Sequence, residues 1–205
     1  MLRIIAFSIG LALSTALAAA AANAPAPGGV YKTDPSHSSF NWSLNHSGLS
    51  RYTARFTTVD ARLDWNPERP EASTLSVTID PRSVRTDYPW PEKVDFDAEI
   101  GGEGSFLAAK PITFVSTAIR VTGEKTGTVE GLLTLRGETH PATLDVTFNG
   151  SMAEHPMMGV PKIGFSATGS IRRSEWGLDF AIPEIGDEVT FVIETQMVPA
   201  NYQFQ

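Results

Sequence analysis

Over most of this chain, large apolar side chains occupy alternate positions, with polar or small residues between them. Phe40, Trp42, Leu44 and His46 share one face of a run whose other face carries Ser39, Asn41, Ser43 and Asn45. The same two-residue period sets Val59, Ala61, Leu63 and Trp65 against Thr58, Asp60, Arg62 and Asp64, and Asn66-Pro67 ends that strand. Leu75, Val77 and Ile79 repeat it before Pro81, and Ile112, Phe114 and Ser116 open a run that turns near Gly123. Val129, Gly131, Leu133 and Leu135 follow; then, after a turn over Gly137 to Pro141, come Leu144, Val146 and Phe148. A long strand holds Ile163, Phe165, Ala167, Gly169 and Ile171, and a last one Val189, Phe191, Ile193, Thr195 and Met197. With a short strand at Val30 to Thr33, the pattern predicts eight or nine strands.

Such alternation predicts an all-β protein, an antiparallel sheet with one apolar and one wet face. Beyond the N-terminal segment, no stretch has the length and period of an amphipathic helix that could cover the apolar face. Only Pro81 to Ala109 breaks the rhythm, with helix-compatible turns near Pro81 to Arg85, Pro91 to Glu99 and Ser105 to Ala108. The sheet must therefore close on itself or pair with a second sheet. Eight strands closed into a barrel leave an interior just wide enough for side chains or one small ligand. Ala61, Gly131, Ala167 and Gly169 fall at inward positions among large aromatics. On one reading they leave room for a ligand; on the other they accommodate neighbouring rings in a filled core.

The first residues form a separate unit. Met1 to Arg3 is a short basic start, Ile4 to Leu17 is an apolar run, and Ala18 to Ala24 offers small-residue cleavage sites. This predicts a secretory signal peptide over 1–22, a flexible lead-in over 23–29, a barrel domain over 30–199 and a tail over 200–205. The segment is short and Ala-rich for a spanning helix, which needs about 20 apolar residues, so no integral membrane segment is expected in the mature chain. The sequence has 16 Lys and Arg against 23 Asp and Glu, net −7; loss of Arg3 leaves 15 against 23, or −8. An acidic domain with scattered cations is not expected to bind nucleic acid or an anionic membrane. Cysteine is absent, so neither a disulfide nor a lipoprotein anchor can form.

Several segments together resemble the YceI-like family. They are Tyr31-Lys-Thr-Asp-Pro-Ser-His37-Ser38, Lys110-Pro-Ile-Thr-Phe114-Val-Ser-Thr117, Gly131-Leu-Leu-Thr-Leu-Arg-Gly137 with Pro141-Ala-Thr-Leu144, and Arg173-Ser-Glu-Trp-Gly177 with Ile185-Gly-Asp-Glu-Val189. They stand in the family's order and cover nearly the whole mature chain. The resemblance implies a periplasmic or secreted lipocalin-like barrel whose tunnel holds a long polyisoprenoid or other amphipathic lipid, with no characteristic catalytic activity and no cofactor. The chain departs from the family pattern at Ala54-Arg55-Phe56, in the acidic stretch Glu92 to Glu103, and in the cluster Gly101, Gly102 and Gly104.

The residues that could carry chemistry are few. His140 and His155 fall in Pro-flanked segments read as turns, and the chain contains no H-x-H or H-E-x-x-H pair, so no metal site is expected. Asp34, Ser36 and His37 include the residue types of a hydrolase triad, but no G-x-S-x-G elbow accompanies them. His37 is read instead as a turn residue bonded to a backbone group. Arg173, at a strand end beside Arg172 and Glu175, calls for a carboxylate partner such as Asp187 or Glu188. His46, Arg51 and Arg55 are the candidates for a polar head group, because they stand where the apolar row of Phe40, Trp42 and Leu44 would meet solvent.

The leading expectation is a binding protein that shields a long-chain amphipathic lipid, a polyisoprenoid or isoprenoid quinone. The alternatives are an enzyme acting on a lipid at the barrel mouth and a filled-barrel interaction module. Whether barrels pair as a homodimer is left open by the sequence. The first expectation to check is export: intact-mass measurement on protein from its own host should find a chain beginning at Asn23, and retention of Met1 to Ala22 would contradict the reading of that segment.

Overall fold

The computed structural model describes residues 24–204, so the expected signal segment lies outside the described residues. Eleven strands occur: β1 (Gly29–Thr33), β2 (Ser39–His46), β3 (Ser50–Phe56), β4 (Val59–Trp65), β5 (Thr74–Ile79), β6 (Val84–Arg85), β7 (Ile112–Val121), β8 (Thr126–Leu135), β9 (Glu138–Met152), β10 (Lys162–Arg172) and β11 (Ile185–Pro199). They make eight staves, because the first six are three bent pairs. β1 and β2 are one stave broken by a 3-10 turn over Pro35–His37, β3 and β4 one broken at Thr57-Thr58, and β5 and β6 one broken by a 3-10 turn over Pro81–Ser83. Accordingly β3 pairs with β2 and β6, while β4 pairs with β1 and β5. The order continues β5-β7-β8-β9-β10-β11, and β11 then pairs with both β2 and β1, closing an eight-stranded antiparallel barrel.

Two of the breaks use one local device. Asp34 and Asp80, each followed by proline, accept a hydrogen bond from the backbone N–H two residues on, Ser36 N and Arg82 N, both at 3.0 Å. Proline needs no donor partner at the first position of such a turn, and the Asp side chain satisfies an amide that the ladder has lost. The strand can thus bend without leaving a buried amide unpaired.

The inward faces follow the sequence pattern, with one shift and one addition. A register irregularity between Ser116 and Ala118 moves the inward set of β7 from Ile112 and Phe114 to Ile119 and Val121, and Ser116 Oγ accepts from Leu75 N at 2.8 Å beside it. The addition is β3, which the alternation did not predict; its inward residues are Tyr52, Ala54 and Phe56. Only α1 (Phe96–Gly101) is a true α-helix in the expected helical stretch. It begins at Asp95, whose carboxylate accepts from Ala98 N at 3.0 Å, rather than at Pro91. Gly101 presses on β6's entry turn so closely that a Cβ would lie 2.0 Å from Pro81 O. Asp97 ties the helix to the end of β6, accepting from Thr86 N at 2.8 Å and Thr86 Oγ1 at 2.6 Å. The segment from Thr86 to Pro111 thus forms a lid at the end of the barrel where β2 and β3 meet.

Two other expectations are corrected. The His140 side chain belongs to β9 and not to a turn; its ring stands edge-on to the fully buried Trp176 at 4.9 Å. Arg173 is buried as expected, but its guanidinium donates to four backbone carbonyls, those of Gly186, Leu178, Phe180 and Ile185, and not to a carboxylate. Asp187 instead accepts from Ser174 N and Oγ, both at 2.9 Å. Burial pushes the Arg173 guanidinium below its usual pKa, while Asp187 and Asp179 oppose that shift.

Gly131 and Gly169 do face inward, but they do not leave open space. A Cβ on Gly131 would meet Phe114 Cζ at 2.3 Å, and one on Gly169 would meet Phe191 Cε2 at 2.4 Å. Each glycine is the bed for the ring of a neighbouring strand. A side chain at either position overpacks the wall, which costs typically about 1 to 3 kcal/mol. Gly169→Phe and Gly131→Leu should therefore each lower the melting temperature of the ligand-free protein, and a variant melting with the wild type would show that the rings can move aside freely.

Candidate functional site

Inside the barrel lies one large cavity of about 1210 Å³. The expected lining residues Phe40, Trp42, Leu44, Leu63, Trp65, Val77, Phe114, Leu133, Phe148, Phe165, Ile171 and Phe191 all border it, whereas Gly131 and Gly169 lie behind the rings that cover them. A ten-residue strand such as β8 spans about 30 Å at roughly 3.3 Å per residue, so a cavity bounded along its length can accept an extended chain.

The two ends of the cavity differ. At the end of the barrel where β4 finishes, Trp65, Phe148 and Phe165 form a triad with centroids 5.6 to 5.8 Å apart, seated on buried Tyr31, Leu63, Ile163 and Met197. At the other end the lid contributes Tyr88, Phe96, Ile100, Phe106 and Leu107 to the lining, none of which the alternation could place. Phe106 of the lid meets Phe180 of the β10–β11 connection at 5.7 Å, and Phe180 is 67 % exposed. The cavity rim on this side is therefore aromatic and partly solvent-facing.

The three head-group candidates are not brought together. His46 borders the cavity at its rim, with its ring 3.4 Å from Ser47 Oγ. Arg51 lies on the outer face of the barrel, donating to Ser43 Oγ at 3.0 Å and to Thr190 Oγ1; the alternation that turns Trp42 and Leu44 inward turns Ser43 outward. Arg55 reaches the rim but is held by the Asp87 carboxylate at 2.5 and 3.3 Å. Of the three, only His46 is at the rim without an acidic partner.

His37 is likewise held by a side chain rather than by the backbone: its Nδ1 lies 2.9 Å from Asp34 Oδ2. That carboxylate also accepts from Lys162 Nζ at 2.7 Å, and Lys162 donates to Gln196 Oε1 at 2.8 Å. The side chains of Asp34 and Lys162 are 1 % and 5 % exposed. Sequence reasoning missed this pair because Lys162 is 128 residues from Asp34 and reads as an ordinary strand-start cation. It pins the β1–β2 kink to β10. Burial alone would raise the Asp34 pKa; the hydrogen bonds from Lys162, His37 and Ser36 N overcome it and hold the carboxyl below its ordinary value.

The model of the YceI-like domain matches residues 31–197. The chain belongs to the YceI-like family. A UPF0312 protein of Pseudomonas putida is 35 % identical to it over 173 residues, covering 82 % of this chain and 84 % of that one. The crystal structure of a Campylobacter jejuni YceI protein superposes with a TM-score of 0.61 at 24 % identity, over 75 % of this YceI-like chain and 88 % of that one. A polyisoprenoid binding domain from Saccharophagus degradans shares the fold with a TM-score of 0.54 at 14 % identity, over 82 % and 98 % of the two chains.

In this YceI-like barrel the Asp34–Lys162 pair gives a pH dependence whose sign is fixed. A carboxyl with a depressed folded pKa contributes stability that is complete above its unfolded value, about 3.9, and is lost as pH falls through the lower folded value. Asp34→Asn leaves the Lys162 ammonium buried without a counter-charge, a change that costs about 3 to 5 kcal/mol. Denaturant unfolding at pH 7 should show that loss, and the gap between variant and wild type should narrow below about pH 4. A variant as stable as the wild type at pH 7 would remove the pair from any structural role.

Proposed function

We propose that this YceI-like protein is a non-enzymatic periplasmic carrier or buffer that holds one long-chain amphipathic lipid, a polyisoprenoid or isoprenoid quinone, inside its barrel. The observation that carries this reading is the long cavity walled by aliphatic and aromatic side chains from all eight staves. The description of the related Saccharophagus degradans domain as polyisoprenoid binding supports the same ligand class. Export by the N-terminal segment would place the carrier where such lipids cross between membranes.

The driving force is the hydrophobic effect, about 0.8 kcal/mol for each CH₂ taken out of water. A chain of a few isoprene units thereby offsets the freedom lost on binding, estimated at about 4 to 15 kcal/mol. The non-enzymatic reading is supported by the surroundings of His37 and His46. His37 is committed to the Asp34 carboxylate, and His46 has Ser47 as its hydrogen-bond neighbour with no carboxylate to orient it. Among the described residues, no group of three or more His, Cys, Asp or Glu is arranged to hold a metal ion.

Affinity should therefore follow tail length. Titration of the delipidated protein with prenyl alcohols of increasing length, read by Trp fluorescence and calorimetry, should show one lipid per chain and an affinity that climbs with each isoprene unit until the cavity is full. Affinity independent of tail length, or no uptake, would overturn the carrier reading in favour of a filled barrel. Turnover of an ester or phosphate substrate that falls by a hundredfold or more in His37→Ala or His46→Ala would overturn it in favour of an enzyme.

A further inference from the structure

Large apolar side chains project uncovered from the lid end of this barrel. Leu49 is 90 % exposed and Trp90 51 %, and Phe106 and Phe180 are exposed as well. They come from three separate segments: Leu49 from the turn between β2 and β3, Trp90 and Phe106 from the lid, and Phe180 from the β10–β11 connection. Contacts between those segments gather them at the cavity rim. Ser47 N donates to Glu184 O at 2.6 Å, joining the β2–β3 turn to the β10–β11 connection, and Phe106 joins that connection to the lid through Phe180 at 5.7 Å. Trp90 stands edge-on, at 5.7 Å, to Tyr88, which lines the cavity as Phe106 and Phe180 do.

The fold has no use for Leu49. Its turn is set by Ser47 and Gly48, whose φ angles are 56° and 70°, and by Asn45 Oδ1, which accepts from Gly48 N at 2.8 Å. A leucine at such a tip buries nothing within the chain. Trp90 carries the Lys93 ammonium 5.4 Å from its ring centroid. An apolar ring beside a cation on a flexible stem suits the headgroup level of a bilayer, where one part is dry and the other wet.

Charge selects the kind of bilayer. Residues 86–111 hold six Asp and Glu against two Lys, so this end repels an anionic surface and is indifferent to a net-neutral one. The arrangement also favours a bilayer over a protein. A protein interface buries a packed apolar core within a polar rim, whereas these side chains are separate projections around an opening, with Glu92, Asp179 and Glu184 between them in the chain. A lipid surface receives such projections one by one. A long apolar cargo has its reservoir in a bilayer, and the mouth that admits it must face that reservoir.

We propose that the lid end of the barrel is a membrane-docking face, on which Leu49, Trp90, Phe106 and Phe180 enter the headgroup region of a net-neutral bilayer and set the cavity mouth against the hydrocarbon. This inference rests on the carrier reading, because it takes the mouth for the entrance of the cargo.

The test uses the delipidated full mature chain and vesicles of phosphatidylethanolamine and phosphatidylcholine that contain no prenyl lipid. The protein should sediment with them to an extent that salt leaves unchanged. Adding phosphatidylglycerol should weaken binding at about 10 mM salt, where the Debye length is about 30 Å, and much less at about 150 mM, where it is about 8 Å. Leu49→Ser combined with Trp90→Ala should lower binding about tenfold or more. Met157→Ser should leave it unchanged, although Met157 is as exposed as Leu49, because it lies in the β9–β10 connection at the far end. Neither Leu49 nor Trp90 lines the cavity, so the double variant should still take up prenyl alcohol from solution. In bicelles of the neutral lipids carrying a headgroup nitroxide, the Leu49 amide and the Trp90 indole N–H of the unsubstituted protein should broaden, and the Met157 amide should stay sharp. No binding to neutral vesicles, equal losses from the double variant and Met157→Ser, or broadening at Met157 alone would overturn docking at this end. Tighter binding to phosphatidylglycerol vesicles at low salt would overturn the neutral partner, and a dimer in solution that the double variant dissolves would assign the patch to a second copy. Each of these results leaves the carrier reading standing while prenyl alcohol still binds; vesicle binding without any uptake of prenyl alcohol would overturn the carrier reading alone.

Discussion

Closure of the sheet through β11 is the constraint on which the rest of this protein depends. That single strand pairs along β10 on one edge and with both β2 and β1 on the other. An open edge would present a row of unpaired amides and carbonyls, which barrels remove altogether. Once every stave has a partner on each side, the backbone is satisfied within the wall itself. The interior is then free of any duty to pair backbone groups, and its side chains can line a cavity instead of filling it.

Closing a barrel around a cavity still requires the staves to bend, and the bends are where the polar chemistry collects. The Asp-Pro turns at Asp34 and Asp80 shorten two staves without orphaning an amide. The first of them is pinned by the buried Lys162 ammonium, and the second is the floor on which Gly101 of the lid helix rests. Arg173 does the same for the β10–β11 connection by gathering four carbonyls. These groups serve the frame, which explains why so few of the chain's cations are left to meet a ligand.

Much of the frame was legible in the residues because a half-buried strand repeats every two positions. The inward rows of β2, β4, β5, β8, β10 and β11 could be read directly from their aromatic and aliphatic members. β3 was not legible, since Ser50 to Phe56 carries two arginines and offers only Tyr, Ala and Phe to the inside. The lid was not legible either: its cavity-facing residues sit on turns with no period. Gly131 and Gly169 were placed on the correct face with two consequences left open, because alternation says which way a residue points and nothing about the ring lying over it. Arg51 failed for the complementary reason. Position along the chain put it near the rim, and only the pleat of β3 sends it outward to Ser43 and Thr190.

The role we propose for this cavity is to hold a lipid. Native mass spectrometry of the protein isolated gently from its own host, followed by organic extraction, tests it most directly. A lipid carrier should give a major species one lipid heavier than the mature chain, and an extract containing a long-chain lipid in equal molar amount. A population at the mass of the bare chain, with an extract free of lipid, would contradict it.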